Sequence, residues 1–559
     1  MSNVQHQEHG VSSYRPDVDG LRAVAVLCVV LYHGFPSALP GGFIGVDVFF
    51  VISGYLITGI ILKDLRRGVF TFSNFYVRRV RRIFPALIIV LATCLVAGAI
   101  LLLPSEFSQL GKHAASGALF VSNVTLLKEI DYFDTAAEFK PLLHLWSLAV
   151  EEQYYFVWPA ALVLFRGKLR RGIWMIAGIA CASFALNIAM VGQQPSMTFY
   201  LPFTRFWELM LGGALVYAQK RFRLSSSRKL TELPAIPQRG AVYPELLSNL
   251  LSITGAGLLL LGLVQIDTQR EFPGWWALLP TIGTAMIILA GPDAWINRAV
   301  LSVRWVVFVG VISYPLYLWH WPLLSFGRIT AGNLSAGTIV ALIFLSFVLA
   351  WLTYRLVEVK VRFQWGRKRP LRIVYGALTL MGLIAVAGMF SAGHIVRPVS
   401  ASVPFVTEVE AALADWEPIR EEIFRGDSDK TVLFLGDSHM QQYAPRIRRI
   451  VTERTRPIRT VDFMTHSGCA PVPDIERRGR GCASFVRRGL ERASMSHVET
   501  VVIAASWYGF VTRGDYHAVG YDSSVTLRLL DNDNQWVFDG FEESLRTLVR
   551  KGKNVVIVM

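Results

Sequence analysis

The sequence predicts a polytopic α-helical membrane domain of about eleven spans, followed by a C-terminal three-layer α/β domain exported to the far side of the membrane. Three observations carry this. Of the 559 residues, 53% are hydrophobic and 17% charged, with a mean hydropathy of +0.42, whereas a soluble globular chain carries about 25% charged residues. The apolar residues gather before about residue 393, in blocks long enough to cross a bilayer. Beyond that point, short apolar runs alternate with stretches of helical character. Such a composition excludes an ordinary soluble enzyme, and equally a disordered, collagenous or disulfide-scaffold protein.

Hydropathy places the spans at about 21–35, 42–62, 83–103, 141–165, 172–191, 206–219, 247–265, 277–290, 305–323, 336–357 and 373–393. The first, sixth and eighth fall short of the roughly 20 residues a membrane helix needs. They are expected to extend into flanking residues or to be broken by function. Alternate loops differ sharply in charge. The loops 63–82, 166–171, 220–246, 291–304 and 358–372 together hold 25 Lys and Arg residues, against 6 in the opposite set. Positive charge is retained on the cytoplasmic side, so the N-terminus is read as cytoplasmic and an odd number of spans exports the C-terminal domain. The first span has no small-residue cleavage site and contains Arg22 and His33, unlike a removable signal peptide.

The net charge of +15 belongs wholly to this half: residues 1–393 hold 34 basic and 19 acidic side chains, and residues 394–559 hold 22 of each. A topology signal explains it, and nucleic-acid binding is excluded as a reading. Cys28, Cys94 and Cys181 fall in spans. Cys469 and Cys482 fall in the exported domain, where an oxidising compartment favours a disulfide between them.

Titratable groups inside spans are costly and mark function. Arg22 and His33 lie eleven residues apart on one helix, nearly three whole turns, hence on one face and about 16 Å apart along the axis. Asp47 lies in the outer half of span two. His144, Ser147 or Leu148, and Glu151 share a face of span four, with Glu152 beside it. Arg205 and Glu208 open span six, and His320 lies near the outer end of span nine. Seven of these groups (His33, Asp47, His144, Glu151, Arg205, Glu208 and His320) are expected to converge on the outer half of the bundle as a reactive or translocating site. Singly, each could equally be a satisfied interhelical contact. His33 is the preferred general base, because a neighbouring carboxylate could tune its ordinary pKa of about 6.5 across neutral pH. On the cytoplasmic side, Arg78, Arg79, Arg81 and Arg82 either anchor the span or clamp an anionic, phosphate-bearing donor. The Gly41–Asp47 turn follows no strand and lacks a P-loop lysine, and no His-x-His, Cys-x-x-Cys or His-Glu-x-x-His cluster suggests a metal.

In the exported half, residues 394–430 read as a linker and 431–559 as the domain. Thr431–Leu435 is a short buried strand that runs at once into Gly436-Asp437-Ser438-His439, a tight turn suited to an exposed nucleophile at the crevice of an α/β sheet. Strands at 500–504 and 554–558 and helices at 446–454 and 540–551 complete a mainly parallel pattern.

These residues resemble a known family. Tyr14-Arg-Pro-Asp17-Val-Asp19-Gly-Leu-Arg22, Tyr32-His33, the block 41–56, the arginine run 78–82, His144-Leu-Trp-Ser-Leu-Ala-Val-Glu151-Glu152-Gln153-Tyr154, Phe206-Trp207-Glu208-Leu209 and Tyr314-Pro-Leu-Tyr-Leu-Trp-His320-Trp-Pro322 closely resemble the membrane-bound acyltransferase-3 family over about 14–370. Its Arg-x10-His signature falls on Arg22 and His33. The resemblance implies transfer of an acyl group, usually acetyl, from cytoplasmic acetyl-CoA to hydroxyls of a cell-envelope polysaccharide, in a multi-pass protein of the bacterial inner membrane. His33 is then the expected catalytic residue, Arg22 its partner, and the arginines 78–82 contacts for the acyl-CoA phosphates. No cofactor is implied beyond acyl-CoA as donor substrate, and the partners are that donor, a glycan acceptor and the bilayer.

The exported part resembles the SGNH hydrolase-like domain often fused to such membrane domains, a flavodoxin-like three-layer fold in which Ser438 would be the nucleophile and Gly468 an oxyanion-hole glycine. Two features depart from that pattern. The block expected to carry an oxyanion-hole Asn falls near Ala505-Ser506-Trp507, and no Asp-x-x-His follows the last strand before Met559. Asp515-Tyr516-His517 has the wrong spacing and comes too early. The domain is therefore expected to be truncated and Ser438 to lack its base. Three rivals remain at this level: a proton-coupled transporter of an envelope precursor, an envelope carbohydrate esterase, and a non-catalytic glycan-binding protein. The first finds no internal repeat of the spans, and the second needs the missing Asp-x-x-His.

Overall fold

The computed structural model describes residues 14–558 apart from 130–135, 165–168, 230–243, 268, 366–369, 395, 397, 403–404, 407–408, 410–418, 454–456, 478–479, 513–515 and 520–534. Much of the expected linker, most of the 220–246 loop, and Asp515 thus lie outside the described residues. The chain divides into two compact units, Met1–Val403 and Pro404–Met559.

The first unit is all helical. Its helices are α1 Pro16–Gly34, α2 Gly45–Arg66, α3 Phe72–Leu101, α4 Pro104–Ala118, α5 Ser122–Glu129, α6 Leu145–Leu164, α7 Leu169–Val191, α8 Pro195–Tyr200, α9 Pro202–Lys229, α10 Glu245–Gln265, α11 Leu278–Ala290, α12 Arg304–Val311, α13 Ser313–Ala331, α14 Ala336–Thr353 and α15 Pro370–Ala392. Ten of the predicted spans each fall on one of them, and the ninth, 305–323, falls across α12 and α13. Six helices among the described residues are long and apolar enough to cross a membrane, or seven if α12 and α13, bent by 67°, form one broken span. The other expected spans are not among these, because they carry charged residues or are too short. Helix α1 holds Asp17, Asp19 and Arg22, α6 holds Glu151 and Glu152, α9 holds Arg205 and Glu208, and α11 has only 13 residues.

Small residues let these helices approach closely, as bilayer-type packing requires. A Cβ on Gly54 of α2 would stand 1.9 Å from the Leu209 carbonyl oxygen, and one on Gly212 of α9 would stand 2.0 Å from that of Val51. The α2–α9 crossing is therefore a backbone-to-backbone contact, and it brings Asp47 against Arg205. Helix α1 runs through the middle of the unit, with Ala23, Ala25 and Val26 fully buried.

The second unit is an α/β domain. Strands β1 Glu421–Phe424, β2 Ser428–Gly436, β3 Arg459–Thr465, β5 Val498–Ala504 and β7 Asn554–Val558 form one sheet in the order β1-β3-β2-β5-β7; β4 Ile475–Arg477 and β6 Tyr516–Ala518 pair separately. The β2–β3, β2–β5 and β5–β7 pairs are parallel, as the alternating pattern predicted, and β1 is antiparallel to β3. Two strands of the five-stranded sheet differ from the expectation. Strand β1 falls inside the expected linker, because Glu421-Glu422-Ile423-Phe424 is a half-exposed edge strand too short to show alternation. Strand β3 was not anticipated, since Asp462 interrupts its apolar run. That aspartate is buried and receives a 2.6 Å bond from Arg492 Nε, which lets it sit inside the sheet.

Candidate active site

The polar residues expected to meet at one point separate into three groups, because each helix face chooses its own neighbour. The first is a set of histidines. His33, near the end of α1, has Nδ1 2.9 Å from His320 Nε2 on α13. The His144 ring centroid lies 5.8 Å from that of His320, and both His144 and His320 are buried. The indole of Trp321 packs edge-on against His33 at 4.4 Å, and Arg328 Nη2 donates to the His33 carbonyl at 2.6 Å. The neighbour of the His33 imidazole is thus a second imidazole, where a carboxylate was expected.

The second group is Asp47, Arg205 and Glu208. Arg205 Nη2 lies 2.8 Å from Asp47 Oδ1, and Arg205 Nε lies 2.7 Å from Glu208 Oε1, with all three side chains at most 1% exposed. The guanidinium is enclosed by Phe50, Trp146, Phe199 and Phe272, at 5.4 to 5.8 Å from each ring centroid. Their polar contacts are with one another, so their place is that of an internal brace for the α2–α9 crossing.

The third group lines a cavity between α1, α2, α3, α6 and α13. Its walls include Arg22, Arg79 and Arg82, together with Glu151, Glu152, Tyr155 and Ser53, and apolar Phe49, Ile52, Leu56 and Leu148. Glu151 accepts from the hydroxyls of Ser53 and Tyr155. Arg79 lies over the Tyr155 ring at 5.4 Å. A second cavity shares Arg22, Leu56, Arg82 and Tyr314 with the first and adds Tyr14, Arg15, Asp19, Glu358 and Arg362. The other two arginines of the run are engaged elsewhere. Arg78 pairs with Asp64 at 2.7 Å, and Arg81 donates to the Arg362 carbonyl. Arg22 takes Asp19 as its carboxylate, at 3.1 Å.

Ser147 and Tyr317 join the first cavity to the histidines. Both line it, and they are hydrogen-bonded to each other at 2.7 Å. The Tyr317 hydroxyl donates to the His144 carbonyl at 2.7 Å, and its ring lies 5.6 Å from that of His320. Neither Tyr317 nor Trp321 was singled out from sequence, although both lie in the motif around His320; nothing in their spacing marks them as a partition.

Outside the spans, the histidines are braced through the loop before α6. Trp321 Nε1 donates to the Lys140 carbonyl at 2.8 Å, and the Lys140 ammonium lies 3.3 Å from Glu129. Glu129 also meets Lys112 and His113, each at 2.7 Å. Burial alone would raise its pKa, but these partners outweigh it and hold the carboxyl down at about 2. A depressed carboxyl stabilises the fold above its ordinary pKa of 4.5, and that contribution fades as pH falls toward about 2. Glu129→Gln is expected to lower stability at neutral pH by on the order of 1–2 kcal/mol, the full linkage value being reduced because one partner, Lys112, is half exposed. It should also flatten the acid limb of the stability curve, read by thermal unfolding in detergent across that pH range.

In the second unit, Ser438 follows β2 directly and begins a four-residue helix, Ser438–Gln441. Asp437 fixes the turn, accepting from the His439 amide at 2.8 Å and from the Ser506 amide at 2.9 Å, which ties the ends of β2 and β5 together. The Ser438 hydroxyl is buried and has no hydrogen-bond partner among the described residues. The nearest histidine in sequence, His439, points its Nδ1 at Asp437, 3.3 Å away. His517 sits in β6 opposite Glu476 of β4. Gly468 occupies the turn after β3 with φ of +76°, a left-handed conformation that favours glycine, and its carbonyl accepts from Arg477 at 3.1 Å and Tyr516 at 3.2 Å. Cys469 and Cys482 form a disulfide.

Residues 15–355 match the sequence model of the acyltransferase-3 domain, and residues 408–559 match that of an SGNH domain fused to AT3 domains. The chain belongs to the acyltransferase-3 family. Among its relatives in this family is the Peptidoglycan O-acetyltransferase OatA of Listeria monocytogenes, 30% identical over 413 residues, covering 68% of this chain and 63% of the relative. A Staphylococcus aureus (strain MSSA476) protein named "Putative O-acetyltransferase SAS0844" is 35% identical over 361 residues, covering 62% of this chain and 57% of the relative. A Bacillus subtilis (strain 168) protein named "Putative peptidoglycan O-acetyltransferase YrhL" is 32% identical over 396 residues, covering 68% and 60%. The acyltransferase-3 chain described here thus spans about three fifths of the length of these curated relatives. The apolar helices of its first unit and its family place it as a multi-pass membrane protein.

Proposed function

We propose that this chain is an O-acetyltransferase that moves an acetyl group from acetyl-CoA at the cytoplasmic face of a bacterial inner membrane to hydroxyls of a cell-envelope glycan. The observation that carries this reading is the arginine-lined cavity whose wall at Ser147 and Tyr317 adjoins the His33–His320–His144 set. In this proposal all eleven predicted segments cross or enter the bilayer, with the N-terminus in the cytoplasm and the second unit outside. Arg79 and Arg82, assisted by Arg22, take the donor's phosphates, for which guanidinium forks are suited. The apolar wall receives the pantetheine arm and acetyl group. His33 takes the proton of the acceptor hydroxyl as its oxygen attacks the thioester carbonyl, the C–S bond breaks, and the leaving thiolate recovers that proton. Glu151, held by Ser53 and Tyr155, orients the arginine side of the cavity. The glycan is taken to be peptidoglycan or a related envelope polysaccharide, the former being the acceptor in the names of two relatives.

The test is the O-acetyl content of surface polysaccharide, by proton NMR, in a host deleted for its own transferase and complemented with this chain. Ester signals restored by the chain support the proposal; none, at normal membrane abundance and with acetyl-CoA and peptidoglycan both present, overturn it. In membranes, Arg79→Gln and Arg82→Gln are each expected to raise KM for acetyl-CoA about tenfold to a hundredfold, the loss of one charge-assisted contact of roughly 1.5–3 kcal/mol. The Arg78→Gln variant, whose partner is Asp64, should leave KM within about twofold, as expected for an exposed pair.

A further inference from the structure

The His33–His320 contact has a direction. His320 Nδ1 lies 2.8 Å from the Tyr317 carbonyl and 3.2 Å from the Leu316 carbonyl. A carbonyl oxygen can only accept, so Nδ1 of His320 carries the hydrogen. In a neutral imidazole the other nitrogen is then an acceptor, and Nε2 of His320 is the atom facing His33 Nδ1 at 2.9 Å. His320 is 1% exposed, and a second proton on it would place a cation there with no carboxylate hydrogen-bonded to it among the described residues. The geometry of the pair is that of an in-plane hydrogen bond. The two rings are only 8° from parallel with centroids 5.2 Å apart. That separation equals the nitrogen–nitrogen distance plus about one ring radius on either side, so the rings lie edge to edge with N–H and lone pair aligned.

We infer that His320 is a positioning residue that fixes the tautomer of His33: by accepting from Nδ1–H it leaves His33 Nε2 as the bare, basic nitrogen. This deepens the proposed function and rests on His33 being its base. In the reaction, His33 Nε2 takes the hydroxyl proton while the sugar oxygen bonds to the acetyl carbon and the thioester C–S bond breaks. The imidazolium so formed keeps its Nδ1–H on the His320 lone pair, and the proton on Nε2 passes to the departing thiolate. His320 itself gains and loses nothing. It performs with a neutral ring the orienting role that a carboxylate performs in hydrolytic triads, within a set of helices in which Asp47 and Glu208 are committed to Arg205.

Two measurements on the full chain in detergent test this. Selective 15N-histidine NMR, with the His33 signals assigned by their loss in His33→Gln, should show Nδ1 protonated and Nε2 bare; protonated Nε2 with bare Nδ1 overturns the inference whatever the activity. In acetyl-CoA turnover, His320→Leu is expected to lower kcat about 10²–10⁴-fold with KM for acetyl-CoA unchanged, the range for a misdirected base. His320→Gln, whose amide oxygen can accept from Nδ1–H, should recover kcat to within about tenfold of the unaltered chain. Wild-type turnover in His320→Leu, or equal loss in both variants at unchanged unfolding temperature, overturns it. Undiminished turnover in His33→Ala would instead refute the proposed base, while the NMR result would still report on the His320 contact by itself.

Discussion

Acetyl-CoA turnover in His33→Ala is expected to fall by about 10²–10⁴-fold, the range for loss of a positioned general base, with KM for the donor little changed. The side chain is not among those lining the cavity that holds the proposed donor-binding arginines. It sits behind the Ser147–Tyr317 partition, against His320 and Trp321. Removing it leaves His320 without a donor at Nε2 and opens space beside one indole, a modest packing change. Stability should therefore move far less than activity. The check is turnover in membranes matched for protein content, with the unfolding temperature in detergent measured alongside. A variant that keeps wild-type turnover would remove His33 from the mechanism.

The largest effect on stability is expected at Arg205. Its guanidinium lies between two carboxylates at no more than 1% exposure and is enclosed by four aromatic rings. Arg205→Met would leave two buried carboxyl groups, Asp47 and Glu208, without the cation that pairs them. Breaking a buried ion pair by removing one partner costs about 3–5 kcal/mol, and lost cation–π contacts would add to that. Arg205→Lys should recover only part, because a lysine ammonium cannot address two carboxylates and four ring faces in one plane. A triple variant, Arg205→Met with Asp47→Leu and Glu208→Leu, should recover more than Arg205→Lys if the charges rather than the packing dominate. The measurement is thermal unfolding in detergent. An Arg205→Met chain as stable as the unaltered one would show that the group is solvated.

Much of this was legible in the residues themselves. Every predicted span falls on one helix or, for the ninth, across two, because a run of apolar side chains is a local property that needs no partner to be recognised. The parallel strands of the second unit could be read for the same reason, as could the cost of burying Arg22, His33, Asp47 and Arg205. Strand β3 was not legible, since Asp462 is tolerated only through Arg492, thirty residues away. Strand β1 was not legible either, as four residues at a sheet edge carry too little alternation.

By itself, the sequence determined which residues are expensive to bury and which segments must be helical, since both follow from the transfer energetics of individual side chains. Which group satisfies which was set by the packing of the helices. The seven polar groups expected at one site are divided by helix crossings such as that of Gly54 with Gly212, which commits Asp47 to Arg205 and leaves His33 to His320. A charge inside a bilayer must find a partner. Which partner it finds depends on backbone distances of a few ångströms between segments remote in the chain.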